Sequence, residues 1–222
     1  MDSQAVWIFL HVVLLVYWLG ADIGVFYSSL QVIKTEHPPE TRAAIVKVLT
    51  FVNYFPATAS ILMLPVGLQL AAGVDASPIT GAWLILVWAG AFAWLGLAHS
   101  SAKRRGTPLG KRLANADLAV RVVLIAVLGI AAVASFVGGE PFRNNWVALK
   151  VLLYAYILVC GLGIRFSFAP FGPAFRRLMA EGSTPEIEAA IRRPVLIVKP
   201  WVLALWGGLV VMALIGIAQP RF

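Results

Sequence analysis

Long apolar stretches alternate with short polar segments along the chain. Six stretches are long enough to span a bilayer, and they run roughly over Ala5–Leu30, Val48–Ala72, Ile79–Ala98, Leu118–Val137, Trp146–Phe168 and Pro194–Ile217. A helix of about 20 apolar residues crosses the hydrocarbon core, whereas the strands of a membrane barrel alternate apolar and polar positions. The pattern therefore predicts an all-α integral membrane protein, a bundle of about six transmembrane helices that forms a single domain over residues 1–222.

The polar segments between these stretches fall into two classes by charge. The first, third and fifth are basic, and they hold Lys34, Arg42 and Lys47, then Lys103, Arg104, Arg105, Lys111 and Arg112, then Arg176, Arg177, Arg192 and Arg193. The second holds only Asp75, and the fourth holds Glu140 and Arg143. Because basic loops stay on the cytoplasmic side, both termini are predicted to be extracytoplasmic, in what we expect to be a bacterial inner (cell) membrane.

Local signals predict where some of the helices begin. The first apolar stretch has no basic segment before it and no clear cleavage site, so we expect a retained helix rather than a signal peptide. Pro38 and Pro39 mark a helix start before the second stretch. In the fifth polar segment, Ser183 and Glu186 have the spacing of a capping box, which predicts a short helix that ends near Arg193.

Composition narrows the class of protein further. Hydrophobic residues make up 60% of the chain and charged residues only 13%, with a mean hydropathy of +0.86, and this excludes an ordinary soluble domain. The net charge of +8 lies mainly in the loops, so no nucleic-acid partner is expected. Cys160 is the only cysteine, which excludes an intrachain disulfide and covalently attached c-type haem. Protease-type HExxH, P-loop and nucleophile-elbow motifs are missing too.

Ionisable side chains within an apolar helix are costly and often functional. One stripe of the first helix, at 3.6 residues per turn, carries His11, Leu15, Trp18 and Asp22. We expect this stripe to face the interior of the bundle. The imidazole of His11 is a candidate metal ligand, with haem iron as the first candidate metal; the alternative is a hydrogen bond to a neighbouring helix.

Lys150 lies one to two turns inside the fifth apolar stretch, on the same predicted side of the membrane as His11. Counted along the helices, the two side chains lie at similar depths, about 9 Å for His11 and about 6 Å for Lys150 from the outer ends of their spans. A haem propionate or another anion would stabilise the ammonium group there. The alternative is that Lys150 extends to the outer interface.

Other polar residues lie nearer the inner side. His99 ends the third stretch and is a candidate ligand for a second haem, or else an interfacial histidine. Because His11 and His99 are predicted on opposite sides of the membrane, a bis-histidine haem is not expected. Asp117 and Arg121 are spaced for an intrahelical ion pair, with Asp22 as an alternative partner for Arg121.

Two short segments resemble a known family. The first is Phe9-Leu10-His11-Val12-Val13 with Tyr17-Trp18-Leu19-Gly20, and the second is Trp146-Val147-Ala148-Leu149-Lys150. They are similar to HemJ-type membrane proteins, which share a superfamily with CopD-type copper-resistance proteins. Such proteins are small b-haem proteins that oxidise protoporphyrinogen, and the resemblance implies that His11 is the axial ligand and Lys150 is needed for activity. The family has four helices, so the second and third spans look like an insertion.

These features predict a b-type haem membrane protein with a redox role. His11 is the predicted axial ligand, Lys150 pairs with a propionate or substrate or ligates iron, and Trp18 and Tyr154 line the pocket. A quinone or a porphyrin-like substrate would be the electron partner, so electron transfer and haem-dependent oxidoreductase activity both stay open. Alternatives are a CopD-like transporter of copper or another small solute, with Met63 assisting His11, and a cofactor-free scaffold subunit.

Small residues in two spans predict close helix contacts. Gly20 and Gly24 form a small-xxx-small step in the first span, and Gly161 has the same role in the fifth. Glycine-lined faces of this kind also allow a homo-oligomer within the membrane lipid.

Overall fold

The computed structural model describes residues 3–138, 140–142 and 144–220. Over these residues the chain forms eight helices and no strand. The helices are α1 (Ser3–Val32), α2 (Pro39–Val52), α3 (Tyr54–Ala72), α4 (Ala82–Lys103), α5 (Pro108–Gly138), α6 (Asn145–Phe168), α7 (Phe171–Glu181) and α8 (Pro185–Ala218). The predicted all-α fold is therefore confirmed.

Six helical stretches in the described part of the chain are long and apolar enough to cross a membrane. They are Ser3–Val32, Pro39–Ala72, Ala82–Lys103, Pro108–Gly138, Asn145–Glu181 and Pro185–Ala218. The six predicted apolar stretches are thus confirmed, and the chain is an integral membrane protein. Several helices continue past the apolar segments, because polar residues outside the hydrocarbon core are still good helix formers.

The spanning helices follow one another around the bundle in chain order. Each of α1, α3, α4, α5 and α6 packs against the next spanning helix, and α8 returns to pack against α1. Because consecutive spans run in opposite directions, the first residues of α1, α4 and α6 share one end with the last residues of α3, α5 and α8. We call this the N-terminal end, and we call the opposite end, which holds the basic segments, the basic end.

An aromatic side chain joins three spans in the main core of the bundle. Tyr154 on α6 is 3% exposed, and its hydroxyl donates a hydrogen bond to the backbone oxygen of Ser60 on α3 at 2.7 Å. The ring of Trp18 on α1 meets the Tyr154 ring edge to face, with 6.3 Å between centroids. The main core is therefore pinned by a polar contact as well as by apolar packing.

A second group of buried side chains lies at the basic end. We call it the end cluster, and its members are Val32, Leu49, Phe171, Ala174, Leu178, Ile187, Ile191 and Val195. Beside it, the buried guanidinium of Arg42 donates two hydrogen bonds to the Glu188 carboxylate, at 2.7 and 2.9 Å. Its Nε also donates to the backbone oxygen of Val32 at 2.6 Å, which satisfies a carbonyl at the end of α1. Arg42 thereby connects α1, α2 and α8.

The helix starts differ in part from the sequence predictions. The start at Pro39 is confirmed. In the fifth polar segment, however, the N-cap is Thr184, whose hydroxyl accepts from the backbone N–H of Ile187, and Ser183 donates to Glu188 instead. The predicted short helix ending near Arg193 is wrong, since α8 continues through Pro194 into the last span. The amphipathic helix α7 was not predicted.

The predicted glycine contacts are also wrong within this chain. A Cβ atom built on Gly20, Gly24 or Gly161 would meet nothing within 4 Å, so these glycines do not mediate close helix contacts in the described structure. Gly163 does so instead, because the Trp201 indole of α8 lies directly over its Cα. The predicted homo-oligomer stays a prediction.

Candidate functional site

His11 lies on the face of α1 that packs against α3. Its side chain is half-buried, and a Cβ built on Gly67 of α3 would lie 3.5 Å from its Cε1. The Nδ1 atom is buried and has no hydrogen-bond partner among the described residues. A buried polar atom without a partner costs free energy and calls for an explanation. The imidazole of His11 is therefore a candidate ligand-binding group.

Lys150 on α6 extends across a glycine of α8. A Cβ built on Gly216 would lie 2.9 Å from its Nζ, so the ammonium group occupies the space that a side chain at position 216 would take. The side chain is half-buried, and it makes no hydrogen bond or ion pair with another described residue. A partly desolvated cation without a counterion favours an anionic partner.

Both side chains lie at the N-terminal end of the bundle. Along the helix axes, His11 is about 12 Å from the first residue of α1, and Lys150 is about 8 Å from the first residue of α6. The glycines opposite them are near the last residues of α3 and α8, which share that end. The structure thus brings the two predicted residues to one end of the bundle.

The two aromatic residues predicted to line the pocket lie deeper in the bundle. Trp18 is about 10 Å further along α1 than His11, and Tyr154 is about 6 Å further along α6 than Lys150. Both are buried and in contact with each other. Their edge-to-face contact fills space between α1 and α6 at a deeper level than His11 and Lys150. The four residues therefore lie at two levels, with His11 and Lys150 nearer the N-terminal end than Trp18 and Tyr154.

His99 lies apart from this group, near the basic end of α4. Its Nε2 is 3.0 Å from the hydroxyl oxygen of Thr58, and its ring stacks on Tyr54 with 5.1 Å between centroids. These contacts occupy one ring nitrogen and one ring face. They favour the interfacial alternative over a ligand to a second haem, which stays an untested prediction.

The charged residues nearer the basic end form specific pairs. Arg121 Nε donates to Asp117 Oδ2 at 3.1 Å, which confirms the intrahelical pair. The alternative pairing of Asp22 with Arg121 is wrong, since Asp22 Oδ2 accepts from the indole N–H of Trp206 at 2.7 Å. The stripe from His11 to Asp22 does face neighbouring helices, as its spacing predicts.

A cleft of about 700 Å³ lies at the basic end, away from His11 and Lys150. Its lining consists of Leu30, Ile33, Lys34, Thr35, Glu36, Pro185, Glu188, Ala189 and Arg192. Both signs of charge are present, and Glu188 is already bound by Arg42. This lining contains no histidine and therefore does not match the haem site predicted for the opposite end.

Sequence reasoning missed the two glycines that face the site residues. Gly67 and Gly216 each lie opposite a polar side chain and leave space that a larger residue would fill. No signal in the sequence distinguishes them from the other glycines of the spans, because the contact depends on how each helix is rotated. The position of Gly67 one turn from Met63 on α3 also places a thioether on the helix face towards α1.

Comparison with known proteins adds nothing to this geometry. No protein-family model, curated protein or solved structure matches the chain. The resemblance to HemJ-type and CopD-type proteins therefore depends only on the short segments around His11 and Lys150.

Proposed function

We propose that the chain is a b-type haem membrane protein with a redox role, with its haem at the N-terminal end of the bundle. The observation that carries the proposal is the buried Nδ1 of His11, which has no partner among the described residues. A ring nitrogen that makes no hydrogen bond keeps its lone pair for iron, and haem would reach this buried nitrogen by parting the neighbouring helices.

The donor set favours haem over a bare metal ion. Among the described residues, no three His, Cys, Asp or Glu side chains come together as a metal-binding group. A bare Zn²⁺ ion requires about four ligands from its surroundings, whereas haem brings four nitrogens of its own and needs one or two from the protein. One unpartnered histidine is sufficient for haem and insufficient for most bare ions.

Lys150 supplies the charge that such a group requires. The propionates of haem are carboxylates, and the unpaired ammonium of Lys150 lies at the same end of the bundle as His11. We infer that Lys150 binds a propionate or an anionic substrate, and that the buried rings of Trp18 and Tyr154 exclude water from the inner side. Bound haem would supply one-electron chemistry, with its potential tuned by this apolar surrounding.

The topology follows from the charges of the segments. With the basic end in the cytoplasm, the termini and the proposed haem site are extracytoplasmic, and we propose a bacterial inner (cell) membrane. The electron partner would then be a quinone or a porphyrin-like molecule that reaches His11 and Lys150 from the outer leaflet.

Copper transport is the second candidate. Met63 lies on α3 one turn from Gly67, which lies opposite the His11 ring. A thioether and an imidazole on facing helices are suitable ligands for Cu(I). A transporter would bind copper at this place only transiently, so a low coordination number is less of an objection.

A visible spectrum of the full-length protein in detergent tests the proposal. We expect a Soret band, and an α-band of b-type haem after reduction. His11→Ala should abolish both bands, whereas His37→Ala, which removes a loop histidine, should leave them unchanged. A colourless wild-type protein that retains copper would favour the transporter. An undiminished Soret band in His11→Ala would refute the ligand assignment.

A further inference from the structure

A buried carboxylate ties together three spans towards the basic end. Asp117 on α5 is 6% exposed. Its Oδ1 accepts from the Trp94 indole N–H at 2.9 Å, and its Oδ2 accepts from Arg121 Nε at 3.1 Å and from Arg165 Nη1 at 2.7 Å. Arg165 Nη2 also donates to the backbone oxygen of Ala114 at 2.7 Å. We call Asp117, Trp94, Arg121 and Arg165 the Asp117 cluster; it connects α4, α5 and α6.

The Asp117 cluster lies at the edge of the apolar zone. In α5, the long apolar run begins at Leu118, directly after Asp117. In α6, Arg165 is followed by only one more turn before the helix ends at Phe168. Taking these apolar runs as the part within the hydrocarbon core, the two helices enter it at the level of the cluster. The cluster is therefore level with the headgroups of the leaflet at the basic end.

The cluster has an excess of positive charge. It holds two guanidinium groups and one carboxylate, and no other acidic side chain of the described residues pairs with either arginine. The contrast with Arg42 is clear, since that guanidinium has one carboxylate of its own and uses Nε and both terminal nitrogens. Two cations that share one carboxylate in a half-dry environment are incompletely neutralised.

Hydrogen-bond donors of the cluster are also unused. Arg121 donates only through Nε, so both of its terminal nitrogens lack an acceptor among the described residues. Its guanidinium carbon lies 5.2 Å from the centre of the Trp94 ring, which holds the group in place. The Arg121 side chain is 18% exposed and the Arg165 side chain 32%, so an external ligand can reach both.

We propose that the Asp117 cluster binds a phosphate group between α4, α5 and α6. Fixed guanidinium groups with free N–H donors match phosphate oxygens in charge and geometry, and basic pockets between spans at this level are suited to lipid headgroups. The phosphate group would come from an anionic phospholipid or from inorganic phosphate. This inference is independent of the proposed haem site, which lies at the other end of the bundle.

Lipid retention by the delipidated full-length protein tests the proposal. Phosphatidylglycerol, phosphatidylcholine and inorganic phosphate are each added, lipid adducts are measured by native mass spectrometry, and the phosphate response is measured as thermal stabilisation. We expect Arg165→Gln and Arg121→Gln to lose most of the ligand bound by the wild type. The matched control Arg177→Gln, an exposed arginine with its own acidic partners, should bind as the wild type does.

The outcomes separate the sources and decide the proposal. Preferential retention of phosphatidylglycerol over phosphatidylcholine, lost in the two cluster variants, supports a lipid site. Stabilisation by inorganic phosphate alone, lost in the same variants, supports a soluble anion. Equal ligand binding by wild type and both cluster variants overturns the proposal. If neither variant folds, the wild type is crosslinked to a photoactivatable phosphatidylglycerol. Crosslinks at residues 94, 114–121 and 165 would support the proposal, and crosslinks elsewhere would overturn it.

Discussion

Replacing Arg42 with methionine should destabilise the protein strongly. The side chain is 1% exposed, and the change removes three hydrogen bonds, two of them to a carboxylate. Glu188 would keep Ser183 as a partner, while the Val32 carbonyl would lose its side-chain donor. Breaking one side of a buried ion pair costs about 3–5 kcal/mol, and the lower end of this range applies because the Glu188 side chain is 15% exposed. For a chain of this length, a loss of about 3 kcal/mol is a fall in Tm of roughly 6–12 °C.

The reactivity of Cys160 provides the assay. It is the only cysteine in the sequence and is buried in α6, so a thiol-reactive fluorophore labels it only when the bundle opens. Heating the detergent-solubilised protein with this fluorophore yields the Tm. Arg177→Met, at an exposed arginine, is the matched control and should leave the Tm unchanged.

A double-mutant cycle then identifies the cause. Glu188→Gln alone should also lower the Tm, and the Arg42→Met/Glu188→Gln double variant should be more stable than the sum of the two losses predicts. The coupling expected for a pair in direct contact is about 1–3 kcal/mol. Strictly additive losses, or a Tm of Arg42→Met within about 2 °C of the wild type, would show that the pair does not stabilise the fold.

Two further predictions concern the spans. If haem is bound as proposed, Lys150→Gln should lower the reduction potential of the haem, because the variant loses a positive charge that disfavours oxidised iron. Redox titration of the α-band measures this potential. The control Lys199→Gln, at an exposed lysine towards the basic end of α8, should have no effect. The free energy of unfolding of Gly163→Ala should be lower than that of Gly161→Ala by about 1–3 kcal/mol. Both variants gain helix propensity, but only Gly163→Ala places a methyl group against the Trp201 ring. Equal Tm values would contradict this packing.

The spanning helices could be predicted because lipid imposes a simple rule. A backbone in hydrocarbon must satisfy its own hydrogen bonds, so a run such as that of α1 can only be a helix. Helix α7 was missed because Pro170 and Pro173 flank its start, although proline is tolerated in a first turn. The spacing of Phe171, Ala174 and Leu178 is a helical signal that identifies the buried face.

The candidate site was predictable within a helix but not between helices. The 3.6-residue period placed His11 and Trp18 on one face, and the i,i+4 spacing paired Asp117 with Arg121. The contribution of Arg165 to the same carboxylate comes from another helix, and no local pattern indicates it. Which residues meet across two spans depends on the rotation and depth of each helix, which packing determines.

The main core around Tyr154 and the end cluster are surrounded by different solvents, lipid for the first and water for the second. Lipid chains dissolve an apolar side chain nearly as well as a neighbouring helix does, so packing around Tyr154 gains little from the hydrophobic effect. Six of the eight residues of the end cluster lie outside the apolar stretches and the other two, Leu49 and Val195, lie at the ends of such stretches, so burial there expels water as in a soluble protein. Because α1 and α8 both contribute to this cluster, the hydrophobic effect stabilises the contact between the first and last spans. We expect that association to persist when detergent replaces the bilayer.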